Sequence, residues 1–258
     1  MLIQNSYYFF QSALTPDMCQ KIIELGEKGI EQDKKNHGSS VATTMGYNHK
    51  QGDVEEKAKP MADVTYEELR DEKGVSTQDI QKGSFIRDSE ISWMNPQWLY
   101  DLVWPYLHKA NKAAGWGYQF DCAESFQFTK YGKKQFYGWH ADGDSDHFGA
   151  YKRFIPGVHQ KTEKGRFPHG YTENTDFVGK VRKLSMTINL NKPGEYEGGN
   201  LKFDFGPHAA GTRYHECTEI RPQGSIIVFP SFVYHQVTPV TSGNRYSLVL
   251  WSLGKPFR

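Results

Sequence analysis

The sequence predicts an α+β fold, with helices in the N-terminal part and a β-sandwich or jelly roll after them, on three observations. Apolar residues recur with helical spacing in two stretches before Gly117. Past Gly117 the period drops to two, in short segments separated by Gly and Pro turns. Aromatic side chains are abundant, 16 Phe, 15 Tyr and 6 Trp making up 14% of the chain, a composition that suits strands and aromatic-walled pockets. A chain of 258 residues can bury a core without disulfide or metal staples. No internal repeat is present, which sets aside solenoids and propellers. One domain over 1–258 is expected, with a helical support region in 1–119 and a β core in 120–258.

The elements follow in order. Thr15-Pro16 pairs an N-cap residue with a proline at the first helical position, so a helix starts there. Met18, Ile22 and Leu25, with Cys19 and Ile23 beside them, form its apolar stripe, and Gly26 and Gly29 weaken its end, which predicts a short helix. Residues 31–62 are polar and aperiodic and read as a loop. A second helix spans Pro96 to Ala114, with Trp98, Leu102, Val103, Tyr106, Leu107 and Ala110 as its stripe, Pro105 as a kink and Gly115 as its stop. The first long strand sets Phe126, Phe128 and Lys130 on one face and Gln127, Thr129 and Tyr131 on the other. In the next, Leu184, Met186, Ile188 and Leu190 face a core, while Ser185, Thr187 and Asn189 face a cavity or water. Strands at 201–205, 225–229 and 245–253 complete the set, with a turn at Glu197-Gly198-Gly199. Residues 143–182 lack alternation, are rich in Gly, charge and aromatics, and read as a lid or substrate-facing insertion.

Charge weighs against some function classes. Lys+Arg 31 against Asp+Glu 30 leaves a formal charge of +1, so no global field draws the chain to nucleic acid or an anionic membrane. No apolar run approaches the roughly 20 residues of a membrane span, and the opening MLIQNSYYFFQSALTP lacks the layout of a secretion signal. Cys19, Cys122 and Cys217 are odd in number and far apart, which fits core residues in a reducing compartment. The expectation is a cytoplasmic protein.

His140-Ala141-Asp142 sets an imidazole and a carboxylate two residues apart, a weak signal alone. His235, just beyond the 225–229 strand, strengthens it. Two histidines and one carboxylate on a β scaffold form the facial triad that leaves coordination positions open on iron(II) for oxygen chemistry. Ten residues on, Arg245 opens a strand whose period of two puts Arg245, Ser247, Val249 and Trp251 on one face and Tyr246, Leu248 and Leu250 on the other. An inward guanidinium is costly unless an anion meets it; that anion is either a bound carboxylate or a buried Asp or Glu. His147, His159, His169, His208 and His215 lack a comparable strand context and read as solvated loop residues.

These residues resemble the iron(II)/2-oxoglutarate dioxygenases, in the prolyl 4-hydroxylase-like branch that includes the bacterial PKHD-type hydroxylases. The resemblance covers Tyr131 to Asp142 and Lys183 to Trp251, about the C-terminal half, and the 143–182 insertion has no counterpart in it. It implies a double-stranded β-helix (jelly-roll) core with N-terminal supporting helices. It also implies His140, Asp142 and His235 as iron ligands, and Arg245 with Ser247 as the clamp on the distal carboxylate of 2-oxoglutarate. Tyr131 matches a tyrosine that hydrogen-bonds the same carboxylate. Thr187, Asn189 and Leu201 match positions lining the co-substrate cavity, and Tyr137 and Trp251 match aromatics near the target residue. The implied cofactors are Fe(II), 2-oxoglutarate and O2, with ascorbate as a reductant. The implied reaction hydroxylates a prolyl residue or related amino-acid side chain in a peptide, protein or free amino acid and converts 2-oxoglutarate to succinate. The alternatives are a catalytically inactive jelly-roll module binding peptide or glycan, and an oxygenase acting on another substrate class such as nucleic acid.

Overall fold

The computed structural model describes residues 5–37, 40, 42, 87–143, 149–161, 167–168, 170–206 and 213–257. Its N-terminal part contributes β1 (Tyr8–Phe10), α1 (Pro16–His37), β2 (Arg87–Asp88), β3 (Glu90–Met94) and α2 (Gln97–Ala113). Thr15 caps α1, its Oγ1 accepting from the Met18 N–H at 3.3 Å. The helix is longer than the sequence predicts and runs through the first residues of the expected loop. Gly26 and Gly29 do not end it. They are where it lies closest to the sheet: a Cβ on Gly26 would enter the Phe128 ring, and one on Gly29 would meet Ser92. Tertiary contact thus overrides the helix propensity of glycine. The buried stripe is Cys19, Ile22, Gly26 and Ile30, while Met18 and Leu25 stay exposed on its flank. In α2 the buried residues are Leu99, Val103, Leu107 and Ala110. Pro105 is exposed, so its missing N–H faces the solvent side.

The β part comprises β4 (Cys122–Ala123), β5 (Phe126–Tyr131), β6 (Phe136–His140), β9 (Val181–Asn189), β10 (Tyr196–Gly198), β11 (Leu201–Asp204), β12 (Tyr214–Glu216), β13 (Ile226–Pro230), β14 (Tyr234–Val237), β15 (Val240–Gly243) and β16 (Arg245–Gly254). A seven-stranded sheet runs β1-β13-β9-β16-β5-β3, with β4 added to β16, and a five-stranded sheet runs β12-β11-β14-β6-β2. Both are antiparallel throughout. Such a pair of antiparallel sheets with helices on one outer face is the jelly-roll α+β fold. The N-terminal region thus adds strands to both sheets as well as helices. Within 143–182 the described residues form one parallel pair, β7 (Lys152–Arg153) with β8 (Tyr171–Thr172).

Two cores follow from the period of two. The outer face of the large sheet, with Phe126, Phe128, Leu184, Met186, Ile188, Leu248 and Leu250, packs against Cys19, Ile22, Leu99, Val103 and Leu107 of the helices. Between the sheets lie Tyr131, Ile227 and Phe229 on one side and Leu201, Phe203 and Val237 on the other. The polar faces of β5, β9 and β16 therefore look into the space between the sheets. Of the cysteines, Cys19 and Cys217 are buried as the sequence predicts. Cys122 is only half-buried, beside the Lys180 ammonium, which donates to its Sγ at 3.4 Å. No described helix is long and apolar enough to cross a membrane.

Candidate active site

His140 closes β6 and His235 lies in β14, and the two are register partners across that strand pair. Their rings are 4.2 Å apart between centroids. Asp142 follows β6 by two residues. Its Oδ1 is 3.5 Å from His140 Nε2 and its Oδ2 is 3.6 Å from His235 Nε2, with all three side chains nearly buried. The other ring nitrogens are already committed: His140 Nδ1 donates to Gly138 O at 2.8 Å and His235 Nδ1 to Val233 O at 2.9 Å. A carbonyl only accepts, so each Nδ1 carries the proton and each Nε2 presents a lone pair toward the carboxylate. Three donor atoms thus converge on one point, in the pattern that suits a divalent transition metal with open positions.

The loop bearing Asp142 is tethered from two sides. Its N–H and that of Gly143 donate to Ser231 O at 2.9 and 3.0 Å, and Arg182 Nη1 donates to Asp142 O at 3.0 Å. Arg182 is itself held by a bidentate pair to Glu124 at 2.5 and 2.6 Å. Burial alone pushes the Asp142 carboxyl up, but the imidazoles of His235 and His140 and the Arg182 guanidinium outweigh it and hold the carboxyl well below the usual range. Burial, reinforced by the neighbouring His140, brings His235 down to about 4. The imidazole is neutral and the carboxylate ionised at neutral pH, the protonation states a metal requires.

Arg245, Ser247, Val249 and Trp251 all line the same pocket as the three donors, as do Tyr131, Thr187 and Leu201. Arg245 is 2% exposed. Its Nη1 donates to Ser247 Oγ at 3.2 Å, and its Nε has no partner. Its register partner Tyr131 lies with its ring centroid 5.4 Å from the guanidinium carbon. No described carboxylate pairs with Arg245, so among the described residues the buried Asp or Glu that the sequence left open is absent. An orphaned Nε beside a hydroxyl and a phenol fits a ligand carboxylate. Asn189 is the one expected residue that does not line the pocket. Its amide donates to Arg221 O at 2.8 Å and it accepts from Tyr196, so it braces the end of β9 instead.

Tyr137 stacks on His140 with centroids 3.6 Å apart, and the Arg182 guanidinium lies 4.0 Å from the Trp251 ring. Trp251 Nε1 is buried without a partner. Three contributors escaped sequence reasoning. Gln127 shares the inward face of β5 with Thr129 and Tyr131, and that face was the available signal. Arg87 and Arg182 carry no local signal, because the contacts that bring them to the site, with Gln127 for Arg87 and with Glu124 and Asp142 for Arg182, span 40 or more residues. Of the rival histidines, His159 and His215 are described. His159 Nδ1 accepts from the Ile155 N–H at 3.0 Å, and His215 is half-buried against Tyr7. His147, His169 and His208 lie outside the described residues.

Comparison with known proteins agrees with this arrangement. Residues 126–253 match the 2OG-Fe(II) oxygenase superfamily model. A PKHD-type hydroxylase of Prochlorococcus marinus is 37% identical over 92 residues, 35% of this chain and 38% of the relative. One of Janthinobacterium sp. is 32% identical over 124 residues, 48% of this chain and 41% of the relative. The match thus spans about two fifths of the length of these curated relatives. In overall fold, the viral collagen prolyl hydroxylase of Paramecium bursaria Chlorella virus-1 superposes with a TM-score of 0.52 at 16% identity, covering 97% of both chains. A Pseudomonas putida prolyl-4-hydroxylase superposes with 0.51 at 16% identity, covering 96% of this chain and 92% of the other. Matched in sequence from β5 to β16, and sharing the fold of these structures, the jelly-roll half of this chain belongs to the 2OG-Fe(II) oxygenase superfamily.

Proposed function

We propose that the chain is a dioxygenase that hydroxylates a prolyl residue or a related amino-acid side chain and releases succinate. Membership of the superfamily implies Fe(II), 2-oxoglutarate and O2. The observation that carries the reading is the sharing of one pocket by the three converging donors and a buried guanidinium whose Nε is unpartnered and which pairs with no described carboxylate. His140, Asp142 and His235 would hold the metal, with the Nδ1 bonds to Gly138 and Val233 fixing the rings before it arrives. Arg245, Ser247 and Tyr131 would take the distal carboxylate, and Thr187 and Leu201 line the cavity between. Tyr137 and Trp251 would flank the target. Bound iron with 2-oxoglutarate supplies the oxidation of an unactivated C–H bond by O2, coupled to decarboxylation. The protein contributes position and dryness: apolar walls from Phe229, Val237 and Val249 exclude water, and the tethered Asp142 loop keeps the donor set rigid.

Anaerobic titration of the metal-free protein with Fe(II) and 2-oxoglutarate tests this without a known substrate. A visible metal-to-ligand charge-transfer band is expected in wild type. It should vanish in His235→Ala and demand far more 2-oxoglutarate in Arg245→Ala. A wild-type protein without the band would overturn the proposal and favour an inactive binding module.

A further inference from the structure

The turn Glu197-Gly198-Gly199, marked in the sequence, packs directly behind the co-substrate clamp. Gly199 follows β10 and has a left-handed backbone, with φ at 57°. Arg245 lines the pocket and Gly199 does not, so the turn meets the arginine stem from the rear. The contact is close. A Cβ on Gly199 would stand 2.9 Å from Arg245 Cδ, 3.0 Å from Val240 Cγ2 and 3.4 Å from Tyr196 Cε2. Carbon atoms in ordinary contact are about 3.5–4.0 Å apart. Gly199 therefore leaves a slot that the arginine stem fills, and its left-handed backbone favours glycine as well.

The other walls of the slot are pinned. The Gly199 N–H donates to Pro239 O at 3.0 Å, and Gly198 O accepts from Arg221 Nη2 at 2.8 Å. Tyr196 is buried, its hydroxyl donating to Asn189 Oδ1 at 3.4 Å and the Arg221 guanidinium lying 4.5 Å from its ring. Val240 is buried too. Its N–H donates to Gln135 O at 3.0 Å, and its carbonyl accepts from the Lys134 N–H at 2.7 Å. Arg245 is held less firmly, because among the described residues its guanidinium bonds to Ser247 and its Nε has no partner. A methyl at position 199 would thus move the arginine stem, and with Tyr196 and Val240 closing the rear the stem would move into the pocket. The displacement is about 0.6–1.1 Å, the shortfall from ordinary contact. It is comparable with the shortening of a chain by one methylene, whose C–C bond is about 1.5 Å.

Resting on the proposed function and deepening it, we infer that Gly199 determines the chain length of the co-substrate. By carrying no side chain it sets the depth of the Arg245 guanidinium, and so selects the five-carbon 2-oxo diacid against the four- and six-carbon ones. It acts through Arg245, as a positioning residue.

The test loads the protein anaerobically with Fe(II) and titrates it, in separate series, with fresh oxaloacetate, 2-oxoglutarate and 2-oxoadipate, which differ by one methylene each. Half-saturation of the charge-transfer band is read. If no diacid gives the band in wild type, the proposed function fails and this inference falls with it. With the band in place, wild type should prefer 2-oxoglutarate at least tenfold over either neighbour. Gly199→Ala should raise half-saturation by 2-oxoglutarate at least tenfold and leave that by oxaloacetate within about twofold, so the preference between them falls at least fivefold. Fe(II) affinity without a diacid should stay within about twofold of wild type. Val240→Ala keeps Gly199 and opens the rear of the slot, and should relax the discrimination against 2-oxoadipate at least threefold. That variant carries the test if Gly199→Ala does not fold. The inference is overturned if wild type binds the three diacids alike, if Gly199→Ala weakens all three equally, or if Val240→Ala leaves the discrimination unchanged. Equal weakening of all three would mark Gly199 as a structural turn residue only.

Discussion

His140, Asp142 and His235 bring their ligand atoms within 4.8 Å of one another, and so do His215, Cys217 and Glu219. The two clusters are near neighbours, linked through Phe203, whose ring is 6.3 Å from His235 and 5.4 Å from Tyr7. They differ in where the lone pairs go. In the first, both Nδ1 atoms are spent on backbone carbonyls and both Nε2 atoms face the carboxylate. In the second, Tyr7 Oη donates its only proton to Glu219 Oε1 at 2.7 Å, so the 2.9 Å contact with His215 Nε2 must be donated by the histidine. That nitrogen is protonated and occupied. Burial, with Glu219 close by, also pushes the Cys217 thiol up, away from the thiolate a metal would take. Proximity of ligating residues is thus insufficient; the hydrogen bonds each ligating side chain already makes decide whether the cluster offers donors or satisfies itself.

The largest effect that would test this contrast is loss of metal. His140→Ala should abolish Fe(II) binding in equilibrium dialysis, and Cys217→Ser should retain the wild-type stoichiometry. A lower iron content in Cys217→Ser would break the distinction. Next is the co-substrate end of the same pocket. Arg245→Lys keeps the charge but loses the fork that reaches Ser247 and the vacant side at Nε, so half-saturation by 2-oxoglutarate should rise about tenfold or more, as for a lost charge-assisted bond of roughly 1.5–3 kcal/mol. Arg182→Gln removes the tether on Asp142 O and leaves Glu124 without its partner. Iron affinity should fall about tenfold, the low end for losing a group that orients a metal ligand, and thermal stability should fall too. Tyr7→Phe is the smallest. It deletes the hydroxyl that satisfies the second cluster and should cost about 1–2 kcal/mol in chemical denaturation, with Fe(II) affinity unchanged.

What could be read from the sequence was what depends on local spacing. Phe126 and Phe128 against Gln127, Thr129 and Tyr131, or Leu248 and Leu250 against Arg245, Ser247 and Trp251, follow from a period of two, and the structure places each set on its expected face. Arg245 was legible because it opens a strand that the pattern marks, whereas His140, Asp142 and His235 were legible as a His-x-Asp pair joined by a later histidine, with their roles implied by the resemblance. Arg87 was not, since only the pairing of β2 with β6 carries it to the pocket. The extent of α1 was misread for a related reason: Gly26 looks like a break until Phe128, 102 positions later, fills the space beneath it. Asn189 has the right parity but lies beyond the pocket, because parity says nothing about distance along the strand.

The cross-strand pairing of His140 with His235 has a mechanical side as well. Among the described residues β6 is bordered on its far edge only by the two-residue β2, so the β6–β14 ladder lies close to the edge of the small sheet. A slip of one residue along that ladder would send one imidazole to the opposite face, because strand parity is two. An ion bound by both imidazoles and by Asp142 would therefore rivet two strands and the loop after them in a single register. It would do so where the sheet has least to hold it. Hydrogen exchange should reveal this as slower exchange of the amides of residues 136–140 and 234–237 once the ion is bound, with little change in β9 or β16.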